Sequence, residues 1–304
     1  MRILLFGSNG QVGTAFRGLG LRAADQMIAV GREQCDLADA AAIRRTIRQT
    51  APEVIVNAAA YTAVDRAETD GDLCFSINAD APAMMAEEAA ATGATLVHYS
   101  TDYVFDGSKT SPWQEDDPAT PLNVYGASKL AGEQRIAATD ARYAIFRTSW
   151  VYSNHGSNFL KSMLRLGAER PELRIVDDQR GAPTSAQAIA EATMRVLSGG
   201  PALAPGIYHL TAGGATTWCG FARAIFAGSG LTRQPKVTAI ASSDYLTPAR
   251  RPMYSVLSHE KFERTFGFRL SGWQKQLAEV LAERAGVAAT AQNRVRETAM
   301  REGN

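Results

Sequence analysis

The first half of the chain alternates between two hydrophobic patterns. Short, mostly apolar runs recur at Ile3–Phe6, Met27–Val30, Val54–Asn57, Leu96–Ser100 and Ala144–Arg147. Runs of this length suit strands buried on both faces. Between them lie longer stretches with helical spacing, Val12–Leu19, Ala40–Thr50, Asp72–Ala91 and Val124–Ala138. Pro82 in the third predicts a kink or a restart there. Strand and helix taking turns in this way predict an α/β fold: a Rossmann-type doubly wound parallel sheet with helices on both faces. Ligands of such sheets bind beyond the carboxyl ends of the strands. The residues that follow each apolar run are therefore where chemistry is expected.

The second half is less regular. Ser157–Ala168, Ala186–Leu197, Trp218–Phe226 and Trp273–Arg284 read as helices, and Leu173–Val176 and Ile207–Leu210 as strands. Gly199-Gly-Pro201 and Ala204-Pro-Gly206 are turn clusters. We expect residues 1–150 to form a dinucleotide-binding domain, completed by parts of 173–212. Residues 151–284 then make mainly a smaller C-terminal substrate-binding domain over the carboxyl edge of the sheet, and 285–304 a tail, either a loose helix or a mobile segment.

Composition narrows the function classes. With 304 residues, 45% hydrophobic and 21% charged, this is an ordinary globular chain with room for one large or two ordinary domains. A formal net charge of +1 with no basic run argues against a nucleic-acid partner. No apolar run is long enough to span a bilayer, and Ile3–Phe6 is too short for a signal peptide's apolar region. Cys35, Cys74 and Cys219 are few, odd in number and widely spaced, which suits a reducing compartment. A cytoplasmic protein without membrane contact is the expectation. His98, His155, His209 and His259 have no paired metal-binding spacing, and His98 and His209 sit in apolar strand contexts as satisfied core or edge residues.

The turn after the first strand, Gly7-Ser-Asn-Gly10-Gln-Val-Gly13, places glycines at spacing three. Such glycines allow a tight turn, close approach of backbone to a pyrophosphate, and close helix–strand packing, with the helix N-terminus aimed at the phosphates. After Val30 comes Arg32, which reads either as a partner for a 2′-phosphate, favouring NADPH over NADH, or as a solvated arginine neutralised by Glu33. Asp36-Leu37 reads as an adenine contact or, for Asp36, as the cap of the next helix. Ala58, Ala59 and Ala60 either leave room for a cofactor crossing the strand end or simply pack a helix. Ser100-Thr101-Asp102 ends the fourth strand with hydroxyls beside a carboxylate, as a substrate site or a common polar turn would.

Tyr125 and Lys129 are four residues apart and share a helical face. An ammonium near a phenol favours the phenolate and lowers a pKa that is otherwise about 10. Tyr125 would then exchange protons as a general acid or base, and Lys129 would also bond the nicotinamide ribose. Thr101 would share the reacting oxygen and stabilise its developing charge. Glycine turn and Tyr–Lys pair together predict hydride chemistry on a carbonyl or hydroxyl.

These residues resemble the extended short-chain dehydrogenase/reductases that act on nucleotide sugars, and within that group the dTDP-4-dehydrorhamnose reductases. The resemblance runs from Met1 to about Leu281. It rests on the glycine turn, Val54–Asp65, His98-Tyr-Ser-Thr-Asp-Tyr-Val-Phe105, Pro121–Gly126, Phe146-Arg-Thr-Ser-Trp-Val-Tyr152, Asp178–Thr184 and Arg251-Pro252. It implies reduction of the 4-keto group of dTDP-4-dehydro-L-rhamnose to dTDP-L-rhamnose with NADPH, NADH use being left open. It also implies Tyr125 as proton donor with Lys129 and Thr101 as the other catalytic members, and Asp102 and Trp150 as sugar contacts. Gly7, Asn9, Gly10, Gln11, Val12 and Gly13 would hold the pyrophosphate, and Arg32, Asp36, Leu37 and Ala58–Ala60 the rest of the cofactor. Arg251 would clamp the substrate diphosphate, the plain alternative being a surface salt bridge; for Trp150 it is a core tryptophan. Some members carry glutamates that bind magnesium at a dimer contact. Thr14-Ala15 and Gln187 stand in the matching regions here, so no metal is expected and a homodimer is left open.

Two rival readings remain. A nucleotide-sugar epimerase or dehydratase shares the fold, although a dehydratase of that kind would place Glu after the Thr–Asp pair, where this chain has Tyr103. A non-catalytic regulatory subunit is the rival from another class, against which the intact Thr101, Tyr125 and Lys129 argue.

Overall fold

Along the first strand, Ile3 and Leu5 face one side of the sheet and Leu4 and Phe6 the other, and all four are 0–1% exposed. That double burial sets the architecture. The computed structural model describes residues 1–21, 25–199 and 203–286; the turn residues Gly200-Pro201 and, of the tail expected over 285–304, residues 287–304 lie outside them, while 285–286 continue a helix.

The first half runs β1 (Arg2–Phe6), α1 (Gln11–Gly18), β2 (Gln26–Val30), α2 (Ala40–Thr50), β3 (Val54–Asn57), α3 (Val64–Ala67), α4 (Gly71–Phe75), a π-helical turn Ser76–Asp80, α5 (Ala81–Thr92), β4 (Thr95–Thr101), α6 (Val124–Ala137) and β5 (Arg142–Thr148). The long helix expected over Asp72–Ala91 is thus broken where Pro82 suggested, with the proline in the first turn of α5. The second half adds β6 (Val151–Tyr152), α7 (Phe159–Glu169), β7 (Glu172–Val176), β8 (Arg180–Gly181), β9 (Thr184–Ser185), α8 (Ala186–Ser198), β10 (Gly206–His209), β11 (Thr216–Thr217), α9 (Trp218–Gly228), β12 (Lys236–Ile240) and α10 (Glu260–Phe266). A last helix, α11, covers 273–286. The strand β12 and the seven-residue α10 were not anticipated from the sequence.

Six strands form one parallel sheet in the order β10-β5-β4-β3-β1-β2. The winding reverses between β1 and β3, and a crevice opens beyond the strand ends at such a switch point. Helices α2, α5 and α6 cover one face and α1, α8 and α10 the other. β10 closes the sheet beside β5, whereas β7 pairs in parallel with β12 in a separate two-stranded sheet. A further apolar cluster, including Leu160, Met163, Phe221, Phe226, Trp273 and Leu277, holds α7, α9 and α11 together.

Toward the carboxyl edge, the sheet face under α6 turns polar. Asn57, His98, Ser100 and Arg147 occupy successive inward positions of β3, β4 and β5, and all are 0–4% exposed. Helix α6 answers with Ser128, Lys129 and Glu133, each 0–1% exposed. Glu133 and Arg147 form a bidentate ion pair, with Oε1 2.9 Å from Nε and Oε2 2.7 Å from Nη2. Most of this buried polar layer is bonded internally, as burial requires, but the Ser100 hydroxyl has no partner among the described residues.

Candidate active site

The glycine turn lies at the β1/β3 switch point. Gly7 has φ +81°, and a Cβ there would lie 2.6 Å from the Ala59 nitrogen. A Cβ on Gly13 would lie 2.1 Å from the Gly7 carbonyl oxygen. No side chain can fill this cradle, and Gly10 caps α1 without a side-chain bond, so no cap side chain occupies the first N–H groups of the helix. Anionic phosphates fit such a place. The Gln11 side chain is committed elsewhere: its Oε1 accepts from Asn158 Nδ2 (2.8 Å) and Ser153 Oγ (3.1 Å), tying the turn to the loop after β6. Val12 packs against the cluster beneath, and the Asn9 side chain lies beside Ser8, Oδ1 to Oγ 3.4 Å.

Along the rest of the groove, Ala58, Ala59 and Ala60 are partly exposed just past β3. The Arg32 side chain is 76% exposed, with Nε 3.4 Å from an Asp36 carboxylate oxygen, a loose surface pair that leaves the guanidinium available. Asp36 does not cap α2. It accepts from the Ala38 nitrogen, and Asp39 caps the helix by accepting from the Ala41 and Ala42 nitrogens. Leu37 packs into the core at 7% exposure.

The Thr–Tyr–Lys group is assembled by local rules. Thr101 ends β4 and caps the short turn Asp102–Val104. Asn123 caps α6, accepting from the Gly126 nitrogen at 2.8 Å and donating to the Arg250 carbonyl at 2.7 Å. A Cβ on Gly126 would lie 2.2 Å from the Tyr103 carbonyl oxygen, so glycine lets the first turn of α6 lie against the turn after Thr101. Tyr125 is thereby set beside Thr101, and its ring stands edge-on to Tyr103 with centroids 5.8 Å apart.

The expected electrostatics are reversed. Burial pushes the Tyr125 phenol up to about 12, the neighbouring Thr101 hydroxyl opposing it. Lys129 is turned into the protein, donating to the Tyr99 carbonyl at 2.6 Å and standing 3.2 Å from His98 Nε2. Burial lowers Lys129 itself to about 8.

Asp102 is 2% exposed and is pushed up to about 7 by burial. Its Oδ1 accepts from Thr101 at 3.2 Å, while Oδ2 has no partner. Arg251 pairs with Asp65 at 2.8 Å and bonds the Thr247 hydroxyl and the Ala249 carbonyl. It also lines a cavity of about 720 Å³ with Arg170, Gln179, Trp218 and Tyr245. A second cavity of about 720 Å³, bordered by Lys161, Arg165 and Arg284, touches none of the expected site residues. Trp150 is half-buried at φ +48°, a strained conformation of the kind that clusters at working sites. Its ring stacks on Trp218 with centroids 3.5 Å apart and planes 4° apart. Trp218, Gln179 and Asp65 were missed from the sequence because each reaches the site across a long stretch of chain. Among the described residues no group of three or more His, Cys, Asp or Glu could hold a metal ion.

The comparisons with known proteins agree with this geometry. Residues 1–285 match the family described as the RmlD substrate binding domain. A dTDP-4-dehydrorhamnose reductase of Salmonella typhimurium is 45% identical over 294 residues, 93% of this chain and 98% of that protein. One from Burkholderia thailandensis is 44% identical over 286 residues, 90% of this chain and 96% of that protein. The crystal structure of a dTDP-4-dehydrorhamnose reductase from Bacillus anthracis in complex with NADP superposes with a TM-score of 0.88 at 33% identity, covering 93% of this chain and 99% of that one. With a match spanning nearly all of the described residues, the chain belongs to the RmlD substrate-binding-domain family.

Proposed function

We propose that this chain reduces the 4-keto group of dTDP-4-dehydro-β-L-rhamnose to give dTDP-β-L-rhamnose, using NADPH. The similar reductases and the NADP-bound relative support the reaction and the cofactor. The observation that carries the chemistry is the Thr101 hydroxyl set beside the buried Tyr125 phenol at the carboxyl edge of the sheet. Held at about 12, Tyr125 keeps its proton at neutral pH, which is the form a donor to a ketone oxygen requires. A bound reduced nicotinamide would supply the hydride. The backbone of the glycine turn, through Asn9, Gln11 and Val12, holds the cofactor diphosphate. Arg32 and Asp36 lie toward its adenosine end, with Leu37 and Ala58–Ala60 along the groove.

Thr101 places a second hydrogen bond on the reacting oxygen and steadies the charge that develops there. Asp102 offers its unpartnered oxygen to a sugar hydroxyl. Trp150, braced by Trp218, walls the sugar, and Arg251 meets the diphosphate from the cavity side. Residues 1–150 form the cofactor domain and 151–284 mainly the substrate domain. The three described cysteines are free and buried, which suits work in the cytoplasm. No described helix is long and apolar enough to cross a membrane.

The test is NADPH oxidation with the 4-keto sugar nucleotide, by the native protein and by Tyr125→Phe. The native protein turns over, and the variant loses about a hundred- to ten-thousandfold in kcat. No turnover by the native protein would return the regulatory-subunit reading.

A further inference from the structure

His98 belongs to no part of the reaction described so far, yet it is 0% exposed and touches Lys129. Its tautomer follows from its neighbours. The Ala59 N–H donates to Asn57 Oδ1 at 3.1 Å, which fixes the orientation of that amide. Asn57 Nδ2 then lies 3.1 Å from His98 Nδ1. An amide nitrogen can only donate, so Nδ1 must be bare. Burial and the nearby lysine hold the imidazole well below its usual pKa, so it is neutral and its one proton sits on Nε2. That N–H points at Lys129 Nζ, 3.2 Å away. An ammonium has no lone pair with which to accept it, whereas the amine does. The bond to the Tyr99 carbonyl is available to either form.

We propose that His98 is a positioning residue for Lys129: its Nε2–H is the donor that meets the lysine lone pair when Lys129 is the neutral amine, with Nζ held against the Tyr99 carbonyl. When a Lys129 N–H bond breaks and its proton leaves to a base, the lone pair left on Nζ accepts from His98. Lys129 is thus held ready to exchange a proton and is not a fixed cation. Its other neighbours fit this. On α6 itself are Tyr125 and Glu133, the latter committed to Arg147 of β5. From α4 comes Cys74, held as the thiol by burial. From β4 comes His98, with Asn57 of β3 behind it.

The inference rests on the proposed reductase chemistry for its purpose, but not for its geometry. Protein labelled with 15N-histidine reports the ring nitrogens directly, with the His98 signals assigned by their loss in His98→Gln. Bare Nδ1 and protonated Nε2, unchanged across the pH range of the folded state, are expected. A proton on Nδ1, or a ring that titrates, overturns the proposal whether or not the enzyme turns over.

Asn57→Asp supplies the second arm. The carboxylate accepts from Nδ1–H, moves the ring proton off Nε2, and presents a lone pair to the lysine ammonium. In the native enzyme kcat/KM falls as pH rises past the Lys129 step. In the folded variant that fall moves up by about one pH unit or more, and the ring-nitrogen pattern is exchanged. A uniform loss of activity with an unmoved profile would mark His98 as structural only and overturn the proposal. If the variant does not fold, the native ring-nitrogen measurement decides alone.

Discussion

Asp102 turns the electrostatics of the site into a stability measurement. The carboxyl is 2% exposed, so solvent screens it little, and burial raises it to about 7. In the unfolded chain an aspartate titrates near 3.9. Between these values the native protein holds a proton that the unfolded chain has released. Stability therefore falls as pH rises, by about 1.4 kcal/mol per pH unit, is fully retained only below about 4, and levels off above about 7. Over the whole window the loss is about 4 kcal/mol, and between pH 5 and 7 it is about 2 kcal/mol. Asp102→Asn keeps the shape and removes the titration.

Urea unfolding of native and variant protein without ligand, at pH 5, 6, 7 and 8 and fixed ionic strength, isolates this group because every other titration cancels in the difference. The variant gains on the native protein by about 2 kcal/mol from pH 5 to 7 and only a few tenths more by pH 8. A difference that stays flat with pH would show that Asp102 ionises normally in the fold. The unpaired Oδ2 would then be solvated, and the substrate contact assigned to it would lose its basis.

Three further outcomes follow from particular contacts. Gly13→Ala drives a Cβ into the Gly7 carbonyl, 2.1 Å away, so NADPH affinity measured by fluorescence titration drops and the fold loses about 1–3 kcal/mol. Arg32→Ala removes a charge-assisted bond worth about 1.5–3 kcal/mol, lowering the NADPH-to-NADH ratio of kcat/KM about tenfold or more without moving Tm. Equal ratios would retire the 2′-phosphate role. Glu133→Ala strands a guanidinium that is 4% exposed and costs about 3–5 kcal/mol in denaturant unfolding; a loss under 1 kcal/mol would mean that water reaches Arg147.

How far the site was legible depends on the span of the signal. The glycine turn, the strand ends and the four-residue spacing of Tyr125 and Lys129 are local, and local stereochemistry is written in neighbouring residues. Even the π-helical break had its marker in Pro82. What failed was the direction in which Lys129 points. Spacing puts it on the Tyr125 face of α6, but the sheet beneath decides its partners, and β3, β4 and β5 had to be paired in register before Asn57, His98 and Arg147 could be seen as one polar layer.

The Trp150–Trp218 stack and the Arg251–Asp65 pair join residues 68 and 186 positions apart, where no periodicity reaches. The strand β12 escaped because its partner β7 leaves it largely uncovered, so it lacks the continuous apolar run of the main sheet. His98, read as a satisfied core residue, is satisfied, but by groups whose hydrogen-bond roles constrain a lysine. In a strand whose neighbours are apolar, such a polar position breaks the local pattern, and breaks of that kind are expected to gather where function is built. The polar alternation His98, Ser100 within β4, with Asn57 and Arg147 closing apolar runs in β3 and β5, was therefore the visible trace, in the sequence, of the layer that controls Lys129.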